Sequence, residues 1–406
     1  MTESLFKHRV EEMMTALAKL GKGESGYTRL AFSDADMKVR SYLIGEMERA
    51  GLTVREDTFG NVFARTRGNN ALPAVLIGSH ADSVPCGGNY DGIVGIVGAI
   101  AVAEQIAKEK MPRPVEVVLF MAEESSRFGV ANLGSKAMVG MLPDDAAAIY
   151  TDSEGRTLGD VMAEKGLVAA NVPYKKRVRA FLELHIEQGR VLESEKCPLG
   201  IVAGIAAPHR YRLTIQGRAD HSGATPMHLR CDALTGASEM ILRIEDLSKA
   251  NAKKGVIATV GQLNVYPNAM NVVPGKVTMS IDLRGTDEDN INRLCIAILE
   301  NVDAIAQKRG LGVQLETLTE EEPALLDEGL VALGEYCASE LGERTMRLSS
   351  GAGHDALYMT RIAPVGMIFV PSKQGISHNP AEHTDMADIM RGTNLLYHMV
   401  KRLAEA

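Results

Sequence analysis

The stretch from Pro73 to Glu124 reads PAVLIGSH (73–80), ADSVPCGGNYD (81–91), GIVGIVGAIAVAEQIAKEK (92–110), MPRP (111–114) and VEVVLFMAEE (115–124). Two apolar runs of strand length flank an apolar segment of helical length. Runs without alternation indicate strands buried on both faces, so the pattern predicts a largely parallel sheet covered by helices. In such sheets ligands gather beyond the carboxyl ends of the strands. That edge is charged in this chain: His80 and Asp82 follow the first strand, Asp91 opens the helix, and Glu123 and Glu124 follow the second strand. Burying a lone charge costs several kcal/mol, so this group needs a compensating partner.

Two other segments offer ionisable residues of the same kind. AFLELHIEQG (180–189) places Glu183, His185 and Glu187 on one face of a strand by the period of two, and GISHNPAEHT (375–384) carries His378 and His383. Imidazoles and carboxylates without thiols suit Zn, Mn, Co or Ni. A pair of ions a few ångströms apart requires a bridging carboxylate, two terminal ligand sets and a bound hydroxide, and the inventory supplies each part. One member of the Glu123–Glu124 pair would then stay free as a base.

The 406 residues exceed what one core usually holds, so two domains are expected. The chain is 45% hydrophobic and 24% charged with a formal charge of -8, which gives no electrostatic footprint for nucleic acid. Five cysteines, Cys86, Cys197, Cys231, Cys295 and Cys337, are odd in number and lack CxxC spacing, which argues for a reducing compartment. MTESLFKHRVEEMMTALAKLG (1–21) reads as an amphipathic helix with no targeting signal, and the longest apolar run, Gly92 to Ala103, is too short to span a bilayer. A soluble cytoplasmic protein is expected, with no nucleic-acid or membrane partner.

From about Arg210 the style changes to alternating strands, RYRLTIQGRA (210–219), VIATVGQLNVYP (256–267) and KVTMSIDLRG (276–285), with helical stretches near 232–249 and 287–308. This predicts an α+β insert of four strands and two helices. APVGMIFVPS (363–372) resumes the apolar-strand style, so the fold class is α/β with residues 1–207 and 322–406 forming one domain and 208–321 the insert.

The motifs GSHADSV (78–84), GGNYDG (87–92), MAEESSRF (121–128), ELHIEQG (183–189), HSGATPM (221–227), NVVPG (271–275), GAGHDA (351–356) and GISHNPAE (375–382) resemble those of the M20 metallopeptidase-like amidohydrolases. ELHIEQG and GAGHDA point to the branch of N-carbamoyl-L-amino-acid hydrolases, β-ureidopropionases and allantoate amidohydrolases. The resemblance implies two divalent metal ions per subunit, with Asp91 bridging and His80, Glu124, His185 and His378 completing the set. It makes Glu123 the general base and Asp82 the carboxylate that orients His80. It implies that the insert is a lid and dimerisation domain, in which His221 stabilises the oxyanion across a homodimer interface. Asn271 and Arg284, with Gln188 nearby, match the groups that hold a substrate α-carboxylate. Gly351 and Gly353 resemble a loop whose backbone approaches the substrate, whereas His354 and Asp355 beside it, and His383, match no chemical role. The turn AAPHRY (206–211) departs from the Gly-Gln-Arg-Arg-like turn of relatives, which bears on how one end of the substrate is held.

The expected activity is cleavage of a carbamoyl or ureido C–N bond next to a carboxylate, in an N-carbamoyl-L-amino acid or in allantoate. A dipeptidase or N-acyl amino-acid deacylase is the second enzyme reading. A silent binding protein on the same fold would have lost a ligand or the base, and all six residues are present.

Overall fold

The computed structural model of the chain describes residues 3–405, with side chains from residue 6. Met1, Thr2 and Ala406, which the boundaries expected from sequence include, lie outside the described residues. Contacts divide the chain into one unit of Met1–Ala203, Leu326–Ser350 and His354–Ala406 and a second of Gly204–Leu325 with Gly351–Gly353. The second unit therefore begins and ends beyond 208–321. It also takes the glycine loop, whose Gly351 carbonyl accepts from Arg284 Nη1 at 2.9 Å.

The first unit is built on a mixed sheet. Its four central strands, Val365–Val370, Val178–Ile186, Ala74–Ser79 and Val115–Leu119, are parallel and adjacent in that order. The sheet is not parallel throughout: Val62–Arg65 and Thr53–Glu56 close one side as an antiparallel hairpin. Leu199–Ile205 runs antiparallel on the other. Every residue of Ala74–Ser79 and Val115–Leu119 is buried, which is why neither run alternates.

The apolar helix Ile93–Glu109 returns the chain between these two strands and buries residues on all sides. It lies very close to the sheet at Gly95, where a Cβ would stand 2.2 Å from the Leu184 carbonyl oxygen. Glu3–Leu17 and Met386–Glu405 share a core with it; Phe6, Val10, Met13 and Leu17 recur at helical spacing and are buried there. A separate cluster holds Phe32, Phe59, Met121, Phe128 and Leu133. Among the described residues no helix is long and apolar enough to cross a membrane, and all five cysteines are free.

The second unit is an antiparallel sheet with helices Ala233–Asn251 and Glu288–Arg309, each capped by an aspartate side chain, Asp232 and Asp287. In Ala207–Gln216 alternate residues His209, Tyr211, Leu213 and Ile215 are buried, as the period of two requires. The sheet has five strands rather than four. VIATVGQLNVYP is broken into Val256–Thr259 and Leu263–Tyr266, which both pair with Lys276–Gly285. Thr259 faces Asp282 and Leu263 faces Met279, so three residues oppose two and one is extra. Ser280 holds the bulge, its Oγ accepting from Gln262 N at 3.1 Å and its N–H donating to Gln262 O at 3.2 Å.

Candidate metal centre

The ends of the parallel strands deliver the ionisable residues to one place. His80 follows Ala74–Ser79, Glu123 and Glu124 follow Val115–Leu119, and His185 lies near the end of Val178–Ile186. Asp91 comes from the loop before Ile93–Glu109, and His378 from the loop after Val365–Val370. The backbone is forced into unusual shapes to do this. Ala122, Asn132, Gln188 and His378 all have φ between 53° and 59°, a conformation that costs a non-glycine residue roughly 1–3 kcal/mol and collects at functional sites.

Asp91 is the hub. Its Oδ1 lies 3.2 Å from His185 Nε2 and 3.4 Å from His80 Nε2. Its Oδ2 lies 3.3 Å from His378 Nε2, which is also 3.3 Å from Glu124 Oε1. The result is two groups of three donors, His80–Asp91–His185 and Asp91–Glu124–His378, each compact enough to hold an ion and sharing one carboxylate. A third group, Glu183–His185–His354, shares His185. His80 and His185 bond through Nδ1 to the Asp82 and Ile186 carbonyls at 3.1 and 2.9 Å, which leaves Nε2 as the nitrogen for a cation. Gly92 permits this packing, since a Cβ there would stand 2.6 Å from the His80 ring.

The electrostatics describe a site arranged for positive charge. Burial works to raise the Asp91 carboxyl, but hydrogen bonds from His185, His378 and His80 hold it well below the usual carboxylate range. Hydrogen bonds to Asp91 and Glu124 push His378 up to about 11. Burial lowers His80, yet the Glu123, Asp82 and Asp91 carboxylates together keep it well above its ordinary value. A cation binding here would take over the role of those protons.

Glu123 stands beside the two groups rather than in them. Its Oε2 is 3.8 Å from His80 Nε2, and its Oε1 accepts from Asn132 Nδ2 at 3.0 Å. Burial, reinforced by Glu124, Asp355 and Asp82 against the opposing pull of His80, raises its carboxyl well above the usual range, the direction a general base working near neutrality needs.

Other expected positions are engaged as follows. The Asp82 carboxylate is not the main partner of His80: Oδ1 lies 3.6 Å from Nδ1, while the two oxygens accept from Glu123 N at 3.2 Å and Glu124 N at 3.0 Å. The side chain therefore ties two strand ends together, and its carbonyl does the orienting. Glu183 is taken by Ser79 Oγ and Ala356 N, and Glu187 caps Val191–Ser194 through the Val191 and Leu192 amides. Gln188 Nε2 donates to Asp91 Oδ2 at 2.6 Å and leaves a buried Oε1 without a partner.

Four residues here escaped sequence reading. Asn132 and Ser135 bond Asp355 as well as, for Asn132, Glu123, and Ser377 and Glu382 contact the Asp91 loop. Only the placement of Ser377 and Glu382 around His378 could have pointed to them. His383 accepts or donates at Tyr90 OH, 2.9 Å from its Nδ1.

In the second unit His221 Nδ1 accepts from the Gly223 and Ala224 amides, both at 3.1 Å, so the ring proton sits on Nε2 as an exposed donor. Asp220–His221 pairs with Val272–Val273, and the Asn271 carbonyl accepts from Ser222 N at 3.1 Å, which brings Asn271 beside His221. Arg284 is gripped by Asp282 through Nε and Nη2 at 3.1 and 3.3 Å. In the departing turn, His209 is buried against the Glu321 carbonyl and Arg210 Nε shares Asp282 at 3.1 Å. Gly351 is exposed and Gly353 half-buried.

Residues 76–402 match the family described as Peptidase family M20/M25/M40. The chain is 39% identical to an N-carbamoyl-L-amino acid amidohydrolase of Geobacillus stearothermophilus, with 98% of each chain covered. It is 37% identical to an allantoate amidohydrolase of Escherichia coli, again with 98% of each covered. A crystal structure of an amidase of the hydantoinase/carbamoylase family from Burkholderia multivorans superposes with a TM-score of 0.92 at 35% identity, covering 98% of both chains. The chain thus belongs to the M20/M25/M40 peptidase family and is a hydrolase of C–N bonds.

Proposed function

We propose that the chain hydrolyses the carbamoyl C–N bond of an N-carbamoyl-L-amino acid or a closely similar ureido carboxylate, using two divalent ions that share Asp91. The observation that carries this reading is the split of one buried carboxylate between two donor groups, with Glu123 free at 3.8 Å from His80. The relatives that act on such compounds cover nearly the whole chain. His80 and His185 would hold one ion and Glu124 and His378 the other, and the nitrogen and oxygen donors suit Zn, Mn, Co or Ni.

Bound there, such ions would supply Lewis acidity and acidify a water. Glu123 would take a proton from the water that attacks the carbamoyl carbon, while Asn132 holds Oε1 of Glu123 in place. The same carboxyl returns the proton to the departing nitrogen, so that an N-carbamoyl amino acid yields the amino acid and a carbamate that falls to carbon dioxide and ammonia. His221 would offer its Nε2–H to the oxyanion across the homodimer interface. Arg284, Asn271 and the loop of Gly351 and Gly353 are our candidates for holding the substrate carboxylate, and Gln188 is a further substrate-binding candidate. Asp282 fixes the orientation of the Arg284 guanidinium through Nε and Nη2. A homodimer formed through the insert and a cytoplasmic location complete the proposal.

Allantoate would use the same machinery, being a carboxylate that bears ureido groups. A dipeptidase or deacylase reading keeps the ions and the base but changes the group recognised. Ammonia release from N-carbamoyl-L-amino acids, N-carbamoyl-β-alanine and allantoate, beside cleavage of dipeptides, separates these with Zn, Mn, Co or Ni added. We expect kcat/KM on the best N-carbamoyl-L-amino acid to exceed that on any dipeptide by more than about 100-fold. Faster cleavage of a dipeptide overturns the proposal, and faster cleavage of allantoate moves it to that substrate.

A further inference from the structure

Glu382 is buried, belongs to neither donor group, and is bonded to the loop that carries Asp91. Its Oε1 accepts from Tyr90 N at 2.9 Å and from Asp91 N at 3.1 Å. Its Oε2 stands 2.8 Å from Ser377 Oγ, and that hydroxyl is 3.0 Å from Asp91 Oδ2. One carboxylate therefore fixes the backbone of Asp91 and, through Ser377, also reaches the side-chain oxygen that faces His378. Tyr90 OH and His383 Nδ1, 2.9 Å apart, join the same two loops a second time. Gly88 makes room for this arrangement: a Cβ there would stand 2.2 Å from Glu382 Oε1 and 2.4 Å from its Cβ and Cδ.

We propose that Glu382 is a positioning residue that sets Asp91 Oδ2 for the ion held by Glu124 and His378. The two Asp91 oxygens are held differently. Asp91 Oδ1 meets His80 and His185, both packed on strand ends. Oδ2 meets His378, whose side chain is 49% exposed and sits on a loop. The Glu124–His378 ion thus depends on how the 377–383 loop is fastened to the 88–92 loop, and Glu382 with Ser377 is the part of that fastening that reaches Asp91. Outer hydrogen-bond partners of ligands are commonly worth about 10–100-fold in metal affinity.

The inference rests on the two-ion reading above, and the test keeps the two apart. The metal-free protein is titrated with zinc alone against a competing chelator, and its melting temperature is recorded. In Glu382→Ala we expect one of two zinc ions to bind about 10–100-fold more weakly and the other to change less than about threefold. Glu382→Gln should restore the parent values, because an amide oxygen accepts the same two N–H groups and the amide nitrogen donates to Ser377 Oγ. Gly88→Ala, which displaces Glu382 without removing it, should reproduce Glu382→Ala, and it carries the test with Glu382→Gln if Glu382→Ala does not fold. Unchanged zinc binding in these variants, equal weakening of both ions, or a Glu382→Gln variant as damaged as Gly88→Ala would overturn the proposal. A parent protein that binds fewer than two zinc ions overturns the two-ion reading itself and this inference with it.

Discussion

Glu123→Gln is expected to keep two metal equivalents per chain and to lose about 10²–10⁴-fold in kcat, the range that a positioned general base commonly supplies. The substitution preserves shape, and the amide oxygen can still accept from Asn132 Nδ2 as Glu123 Oε1 does at 3.0 Å. What disappears is the ability to take a proton from water and hand it to the leaving nitrogen. KM should change little, since both steps follow binding. Elemental analysis of the purified variant, beside its kinetics, decides the point. Loss of one metal equivalent would place Glu123 among the ligands and pass the base role to Glu124, which the distances oppose because Glu124 Oε1 lies 3.3 Å from His378 Nε2.

Asp91→Ala should do more damage than removal of any other ligand, because it takes a donor from both groups at once. Each group would fall to two donors, His80 with His185 and Glu124 with His378. We expect neither ion to survive gel filtration and activity to fall at least as far as in Glu123→Gln, by about 10⁴-fold or more. His378→Ala should by contrast lose one equivalent only. The check is metal content per chain measured in parallel for the two variants. An Asp91→Ala protein that retains one ion at the parent's affinity would show that the carboxylate is not shared.

Much of this site can be read from the chain because metal donors at a sheet edge obey simple spacing. His80 and Glu123–Glu124 come directly after apolar runs, and the runs are the buried strands Ala74–Ser79 and Val115–Leu119. The pairing of donors is different in kind. Nothing in the order of residues says that His80 joins His185 on Oδ1 while His378 joins Glu124 on Oδ2, because these partners meet only through the sheet. The period of two placed Glu183 and Glu187 with His185, yet both spend their oxygens on other groups.

Glu382 and Asn132 are polar loop residues whose meaning lies in what they touch, including backbone amides 291 and 292 residues away for Glu382. The broken strand in the second unit is harder still. One extra residue near Gly261 leaves no mark in hydrophobicity, and only the register reveals it.

The shared carboxylate is tested by a crystal structure of the manganese-loaded protein with anomalous diffraction recorded to locate the ions. Two peaks per chain are expected, one against His80 and His185 and one against Glu124 and His378, with a different oxygen of Asp91 on each. A single peak, or a peak against Glu183 and His354 in place of either, would contradict this arrangement.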